Sequence, residues 1–203
     1  INLIVGGYKK AIKKEDSTGK IFWYLVAATI PAGILSLVLD KISEKIIGDN
    51  LNVQMIFIAV ALIVMGIVLY IVDKKAKSEV KYEDITLKQS ILIGISQAIA
   101  AAFPGVSRSG ITMTVGRMLK LDRESAARFS FMLAAPITLA AALANISSFV
   151  FDAAFVAGIL ASFIVGLFVI KFLLNYLKKG SYKVFAIYRI IFGIVIIACI
   201  LFR

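Results

Sequence analysis

Four uncharged apolar runs, Ile21 to Leu39, Leu51 to Val72, Phe129 to Phe151 and Ala153 to Ile170, constrain this chain more than anything else in it. Each approaches or exceeds the roughly 18 residues that mark a membrane-spanning helix. At about 1.5 Å per residue, such a helix crosses a hydrocarbon core of about 30 Å, where lipid offers no partner to an unpaired backbone group. A fifth run, Val184 to Phe202, is interrupted near its start by Arg189. The expected fold class is all-α: a polytopic integral membrane protein with about five transmembrane helices. Composition agrees, since 61% of the residues are hydrophobic against roughly 45–50% in soluble domains.

The net charge of +11 does not point to nucleic acid, because the lysines sit in short loops between apolar runs instead of along one soluble face. They read as topology signals and as contacts to anionic lipid headgroups. Lys9, Lys10, Lys13, Lys14 and Lys20 place the first loop in the cytoplasm, and Ile1 to Tyr8 reads as the tail of an earlier helix, so that sequence upstream is expected. Ile21 to Leu39 then runs outward to a loop, Asp40 to Asn50, in which Lys41 and Lys45 are balanced by Asp40, Glu44 and Asp49. Leu51 to Val72 returns to a lysine-rich stretch between Asp73 and Gln89. Phe129 to Phe151 leads out, Asp152 marks an external turn, Ala153 to Ile170 returns, and Lys171 to Lys183 is inside. The C-terminus is expected outside. Cys199 is the single cysteine, so neither a disulfide framework nor a thiolate metal site arises.

The short segments between the second and third runs break this pattern. Ser90 to Phe103 is apolar but is stopped by Pro104 and Gly105, and Gly110 to Leu119 is shorter still. At about 21 Å and 15 Å, neither spans the bilayer. Arg117, Lys120, Arg123 and Arg128 make the following loop basic, so both flanks lie inside. The pair, 90–119, is expected to be a re-entrant helical hairpin within a single membrane domain, 1–203. Tyr24 to Leu37 and Ser130 to Leu143 also share a small-residue patch around a proline, a faint internal repeat. The charge rule runs both of them outward, against the opposed directions of an inverted repeat.

At the expected tip stand Pro104, Gly105, Val106, Ser107, Arg108, Ser109, Gly110, Ile111 and Thr112. Irregular backbone at membrane depth is tolerated where protein buries it or a wet cavity adjoins it. Gly110 is expected to open the second half-helix, turning first-turn amides and the positive helix end toward the tip. Arg108 adds a planar fork suited to two phosphate oxygens, and Ser107, Ser109 and Thr112 add hydroxyls. The bland reading is that Arg108 caps carbonyls or snorkels while the hydroxyls bond within their helices. An intramembrane arginine nevertheless marks a functional site by default, and the chemistry fits phosphate or diphosphate. Gly105 to Ser109 matches GxSxG, but the chain has no histidine to activate a serine. Gln97 either faces the cavity or hydrogen-bonds between helices, with the second favoured. Asn145 and Ser148 read as packing residues and Arg189 as a snorkelling one. No carboxylate lies inside the apolar runs, so none is placed as a general base or metal ligand.

The stretch PGVSRSGITMTVGRMLKLDRESAARFSFMLAAPITLAAA, Pro104 to Ala142, resembles the second signature region of the undecaprenyl-diphosphate phosphatase family, also called the bacitracin-resistance family. Leu25 to Leu37 is similar to another family segment. The resemblance implies two inverted repeats with paired re-entrant tips, and hydrolysis of undecaprenyl diphosphate to undecaprenyl phosphate and phosphate. That reaction recycles the lipid carrier of the cell wall at the bacterial plasma membrane and opposes bacitracin. It also implies a divalent cation, Mg²⁺ or Ca²⁺, and an acidic EGxxE motif with an SSTGH-like stretch on a first hairpin. Neither motif occurs here, so the implied nucleophile, acid–base partner and metal carboxylates fall outside this chain. On the matched side, the resemblance implies that Arg108 and Ser107 are catalytic, with Arg108 clamping the diphosphate. Ser109, Gly105, Gly110, Thr112 and Gln97 are then substrate-binding candidates. The expected partners are a polyprenyl diphosphate and membrane lipids, with a homodimer left open. The resemblance implies action at the external face, which a hairpin entering from the cytoplasm reaches if its cavity opens outward. A secondary transporter or flippase, whose broken helices bind an anion at the midplane, is the alternative from another class, and an inert membrane subunit is a third.

Overall fold

In a computed structural model of the chain, residues 17–48, 50–146, 149 and 151–202 are described. The expected helix tail at Ile1 to Tyr8, the lysines at 9, 10, 13 and 14, and Ser148 lie outside the described residues. Five helices are long and apolar enough to cross a membrane: α1 (Ser17–Ile47), α2 (Leu51–Lys75), α6 (Arg123–Ala144), α7 (Ala153–Lys179) and α8 (Lys183–Leu201). Between α2 and α6 come α3 (Leu87–Ser96), the short α4 (Ala98–Ala102) and α5 (Arg108–Met118).

Local chemistry sets the boundaries. Asn50 caps α2 by accepting from the Asn52 and Val53 amides at 3.0 and 3.3 Å. Thr86 and Gln89 form a reciprocal capping box at the start of α3, and Asp122 and Asp152 cap α6 and α7, each accepting an amide at 2.7 Å. Each cap satisfies a donor that the first helical turn leaves free.

Three expected boundaries move. The span read as Phe129 to Phe151 is helical over Arg123–Ala144, because Asp122 starts it before the charged residues end. Arg128 in its first turns is accommodated by stacking over the Tyr82 ring at 4.1 Å. The loop read as Asp40 to Asn50 is largely the continuation of α1 to Ile47, and α7 continues through Lys171 to Lys179. Pro31 and Pro136 lie inside α1 and α6, as membrane helices permit.

One end of the bundle gathers the basic segments. Val80 accepts from the Asp122 amide, and its own amide donates to the Lys120 carbonyl, both at 3.0 Å. This ties the chain entering the α3–α5 unit to the chain leaving it. The Gln89 Nε2 donates to the Leu119 carbonyl at 3.1 Å, closing the mouth of a helical hairpin. Asp73, 5% exposed, accepts from Arg117 Nε at 3.2 Å, from Arg123 Nε at 2.7 Å and from the Tyr182 amide at 3.1 Å. Arg117 donates further to the Ala76, Lys77 and Leu121 carbonyls and to Ser78 Oγ, so each nitrogen of its buried fork has a partner. The Tyr182 hydroxyl donates to the Arg123 carbonyl at 2.7 Å. Burial first, and the Asp73 carboxylate next, hold that phenol well above its usual range, which keeps it a neutral donor.

Ile21, Leu25 and Ala28 of α1 pack with Ile93 of α3 and with Phe129 and Leu133 of α6. The same cluster holds Tyr82 and Leu121 from the segments that flank the α3–α5 unit. On the other side of the hairpin, α2 and α8 approach closely at Gly193, where an added Cβ would stand 2.7 Å from the Ala59 carbonyl oxygen. Small residues at such crossings are how helices associate in lipid.

Candidate functional site

The turn between α4 and α5 is built by two residues with positive φ. Gly105 has φ +90° and lies against α2, where a Cβ would meet the Ile58 carbonyl oxygen at 2.6 Å, so glycine is required twice over. Ser107 has φ +67° and ψ 116°, a sparsely populated conformation for a residue with a side chain. That conformation makes Ser107 the cap of α5: its Oγ accepts from the Gly110 amide at 3.2 Å, and its carbonyl accepts from Ile111 at 3.0 Å. The helix starts at Arg108, two positions before the expected Gly110. The amides of Arg108 and Ser109 then have no acceptor within the helix and point to the same end as the positive helix dipole. Ser109 Oγ lies 3.4 Å from Ser107 Oγ.

Arg189 is the residue that sequence reasoning misplaced. It does not snorkel: it is 7% exposed, and its Nη2 donates to the Gly105 and Val106 carbonyls at 2.9 and 2.7 Å. A single guanidinium from α8 thereby holds both carbonyls of the strained turn. Its Nη1 reaches the other side of the turn, since a Cβ on Gly110 would lie 2.5 Å from it. Its Nε is buried without a partner. The signal was available, because an arginine inside an apolar run is a functional candidate by default; its nearness to the start of the run favoured the wrong reading.

The other expected residues divide. Ser107, Ser109 and Gly110 line one cavity together with Arg189. Arg108 sits on the same turn but reaches toward α6, with Nη2 3.4 Å from Thr138 Oγ1 and its side chain exposed. Thr112 is turned away from the tip: its hydroxyl contacts the Arg108 and Ser109 carbonyls at 2.9 and 3.2 Å and Ser130 Oγ at 2.7 Å. It pins α5 to α6 and offers nothing to a ligand. Gln97, at the break between α3 and α4, is 3% exposed, and neither its Oε1 nor its Nε2 has a hydrogen-bond partner. The favoured helix-to-helix bond is therefore not formed. Asn145 terminates α6 by donating to the Ala141 carbonyl at 2.8 Å.

The cavity has a volume of about 370 Å³ and is bordered by α2, α5, α6, α7 and α8. Its polar end combines a helix N-terminus, two hydroxyls and a buried guanidinium, an arrangement that binds and stabilises anionic oxygens. It does not fit a resident divalent cation. The groups at the turn are cationic or neutral, and among the described residues no three His, Cys, Asp or Glu stand close enough to hold a metal.

A family model described as bacitracin resistance protein BacA matches residues 1–195. The chain is similar to an undecaprenyl-diphosphatase of Moorella thermoacetica, 40% identical over 201 residues, which cover 98% of this chain and 74% of that protein. An undecaprenyl-diphosphatase of Caldicellulosiruptor bescii is 39% identical over 208 residues, covering 100% of this chain and 76% of the relative. One from Gemmatimonas aurantiaca is 43% identical over 184 residues, 89% of this chain and 67% of the relative.

Proposed function

Because the chain belongs to the bacitracin-resistance BacA family, we propose that it is a multi-pass membrane phosphatase that hydrolyses undecaprenyl diphosphate to undecaprenyl phosphate and inorganic phosphate. In the bacterial membrane this recycles the lipid carrier of cell-wall synthesis. Water attacks the terminal phosphorus, the bond from that phosphorus to the bridging oxygen breaks, and the lipid monophosphate leaves. The observation that carries the site assignment is that Ser107 and Arg189 meet at the N-terminus of α5, whose first residue is Arg108. Phosphoryl transfer is governed by positioning and by neutralising charge on the equatorial oxygens. The turn supplies both through free amides, hydroxyls and guanidiniums, with Arg108 as the diphosphate clamp. Arg189 is a positioning residue that fixes the turn. Among the described residues no carboxylate or histidine stands at the turn, so the proton of the attacking water is taken by a group outside it.

In this reading the whole chain is one membrane domain, and its hairpin, 90–119, enters and leaves the bilayer on one face. The short α5, 11 residues or about 16 Å long, supports that. Native mass in detergent separates monomer from dimer.

The test is phosphate release from undecaprenyl diphosphate in liposomes by the full-length protein and its Arg108→Ala and Arg108→Lys variants. Folded Arg108→Ala is expected to lose about 10²–10³-fold in turnover, with partial rescue by lysine. Unchanged turnover in Arg108→Ala would place the clamp elsewhere. Absence of turnover in the unmutated protein, with the ligand moved intact across the membrane, would make it a carrier.

A further inference from the structure

At the basic end of the bundle, α2 and the C-terminal end of α5 border a second groove of about 470 Å³. Its walls include Ile71, Val72 and Lys75 of α2, Lys77 just beyond that helix, and Met118 and Lys120 where α5 ends. The apolar and cationic parts are sorted by depth. The 25 residues of α2, at about 1.5 Å each, are about 37 Å long against a hydrocarbon core of about 30 Å, so the lysine end reaches headgroup level. Ile71 lies one turn deeper. Ile71 and Met118 are 44% and 61% exposed, and neither side chain has a use for water. Apolar side chains below and lysines above follow the order of a phospholipid from acyl chain to phosphate.

Charge decides which lipid fits. Among the described residues, Glu79 meets Lys120 at 2.7 Å and Lys77 at 3.8 Å, one carboxylate for two lysines, and such exposed pairs hold weakly. Lys75 has no carboxylate within ion-pair reach among the described residues. Arg117 also borders the groove, but Asp73 balances it from within the core. The groove therefore keeps a net positive charge. Its spacing is fixed as well, because the Lys120 carbonyl accepts from the Glu79 and Val80 amides at 3.0 Å. We propose that this groove binds one anionic phospholipid from the leaflet at the basic end. The phosphate lies among Lys75, Lys77 and Lys120, and the acyl chains run along Ile71, Val72 and Met118. A zwitterionic headgroup brings its own cation toward the lysines, and a soluble anion leaves Ile71 and Met118 uncovered. The bound lipid joins α2 to the point where the hairpin, 90–119, ends. The site lies at the end of α5 opposite the turn and does not depend on the phosphatase reading.

The experiment uses the full-length protein in phosphatidylcholine nanodiscs and a phosphatidylglycerol with a photoreactive group near the head end of one acyl chain. Cross-links, mapped by mass spectrometry, are expected on the peptides carrying Ile71 and Met118. Added phosphatidylglycerol should displace them, and added phosphatidylcholine should not. Each lysine near an anionic headgroup contributes about fivefold in affinity, so the triple variant Lys75→Gln, Lys77→Gln, Lys120→Gln is expected to lose labelling by about tenfold or more. The matching triple arginine variant should keep it. Lys171→Gln with Lys178→Gln, on α7, is the control for general attraction to a basic face and should leave labelling in place. Phosphatidylglycerol should also raise the unfolding temperature of the unmutated protein over its value in phosphatidylcholine, and should not do so in the triple glutamine variant. Cross-links on other helices, equal displacement by phosphatidylcholine, or unchanged labelling in the glutamine variant would each overturn the proposal. Loss of labelling in the arginine variant, or an equal loss in the α7 control, would overturn it too, since neither the charge nor the place would then be what the lipid reads.

Discussion

Ser107 is held at φ +67°, which costs of order 1–3 kcal/mol, and the gain is a turn that presents its hydroxyl at the start of α5. Strain and hydroxyl are separable. Ser107→Gly relieves the backbone and, as a cap, loses only a few tenths of a kcal/mol, so thermal stability in detergent is expected to hold while phosphate release falls. Ser107→Ala keeps the strain and loses the cap, so both are expected to fall. If Ser107→Gly keeps full activity, the hydroxyl has no part in the reaction. Arg189 gives a second outcome at this scale. Arg189→Met leaves the Gly105 and Val106 carbonyls unpaired, at about 1–3 kcal/mol for each buried group. The expected result is a lower unfolding temperature together with a raised KM, whereas Arg189→Lys retains one donor and recovers part of both. The PGVSRSG stretch made Ser107, Arg108 and Ser109 legible as residues of the turn that interrupts the short helices. The orientation of Thr112, the idle amide of Gln97 and the grip of Arg189 were not, because each depends on which neighbour lies across a helix interface.

At the level of elements, capping is local: Asn50, Asp122 and Asp152 begin α2, α6 and α7. Helix ends followed hydropathy less well, since α1 and α7 continue into charged sequence that needs only a helical backbone and water on one side. The hairpin is held to α1 by contact at Gly94, where an added Cβ would lie 2.5 Å from the Ala28 carbonyl oxygen. Gly94→Val is expected to force α1 and α3 apart and to cost about 1–3 kcal/mol, read as a lower midpoint of thermal unfolding. Gly158→Val, on a face of α7 with nothing near it, serves as the matched control and should leave that midpoint in place.

Across the whole molecule, the basic segments meet at one end through Asp73, while Asn50 and Asn52 adjoin Ile200 at the other. Single cysteines at Lys77, Lys120 and Lys178, in a background with Cys199 replaced by serine, should all label from one side of the membrane, and cysteines at Asn50 and Asp152 from the other. Labelling of Lys120→Cys from the opposite side to Lys77→Cys would break the hairpin assignment. Asp73→Ala leaves Arg117, 1% exposed, without its counter-charge, and is expected to destabilise by about 3–5 kcal/mol; adding Arg117→Met should recover part of that loss. The sequence by itself determined the number of long apolar helices and the place of the turn that breaks the short pair between them. Runs of apolar residues, lysines in loops and a Pro-Gly break act through solvent and local geometry, which one chain segment carries alone. Only the tertiary structure decided that Asp73 knots three loops together, that Arg189 holds a turn 84 positions away, and that polar and apolar walls from five helices enclose one cavity. Those are contacts between distant segments, and they exist only once the helices have packed.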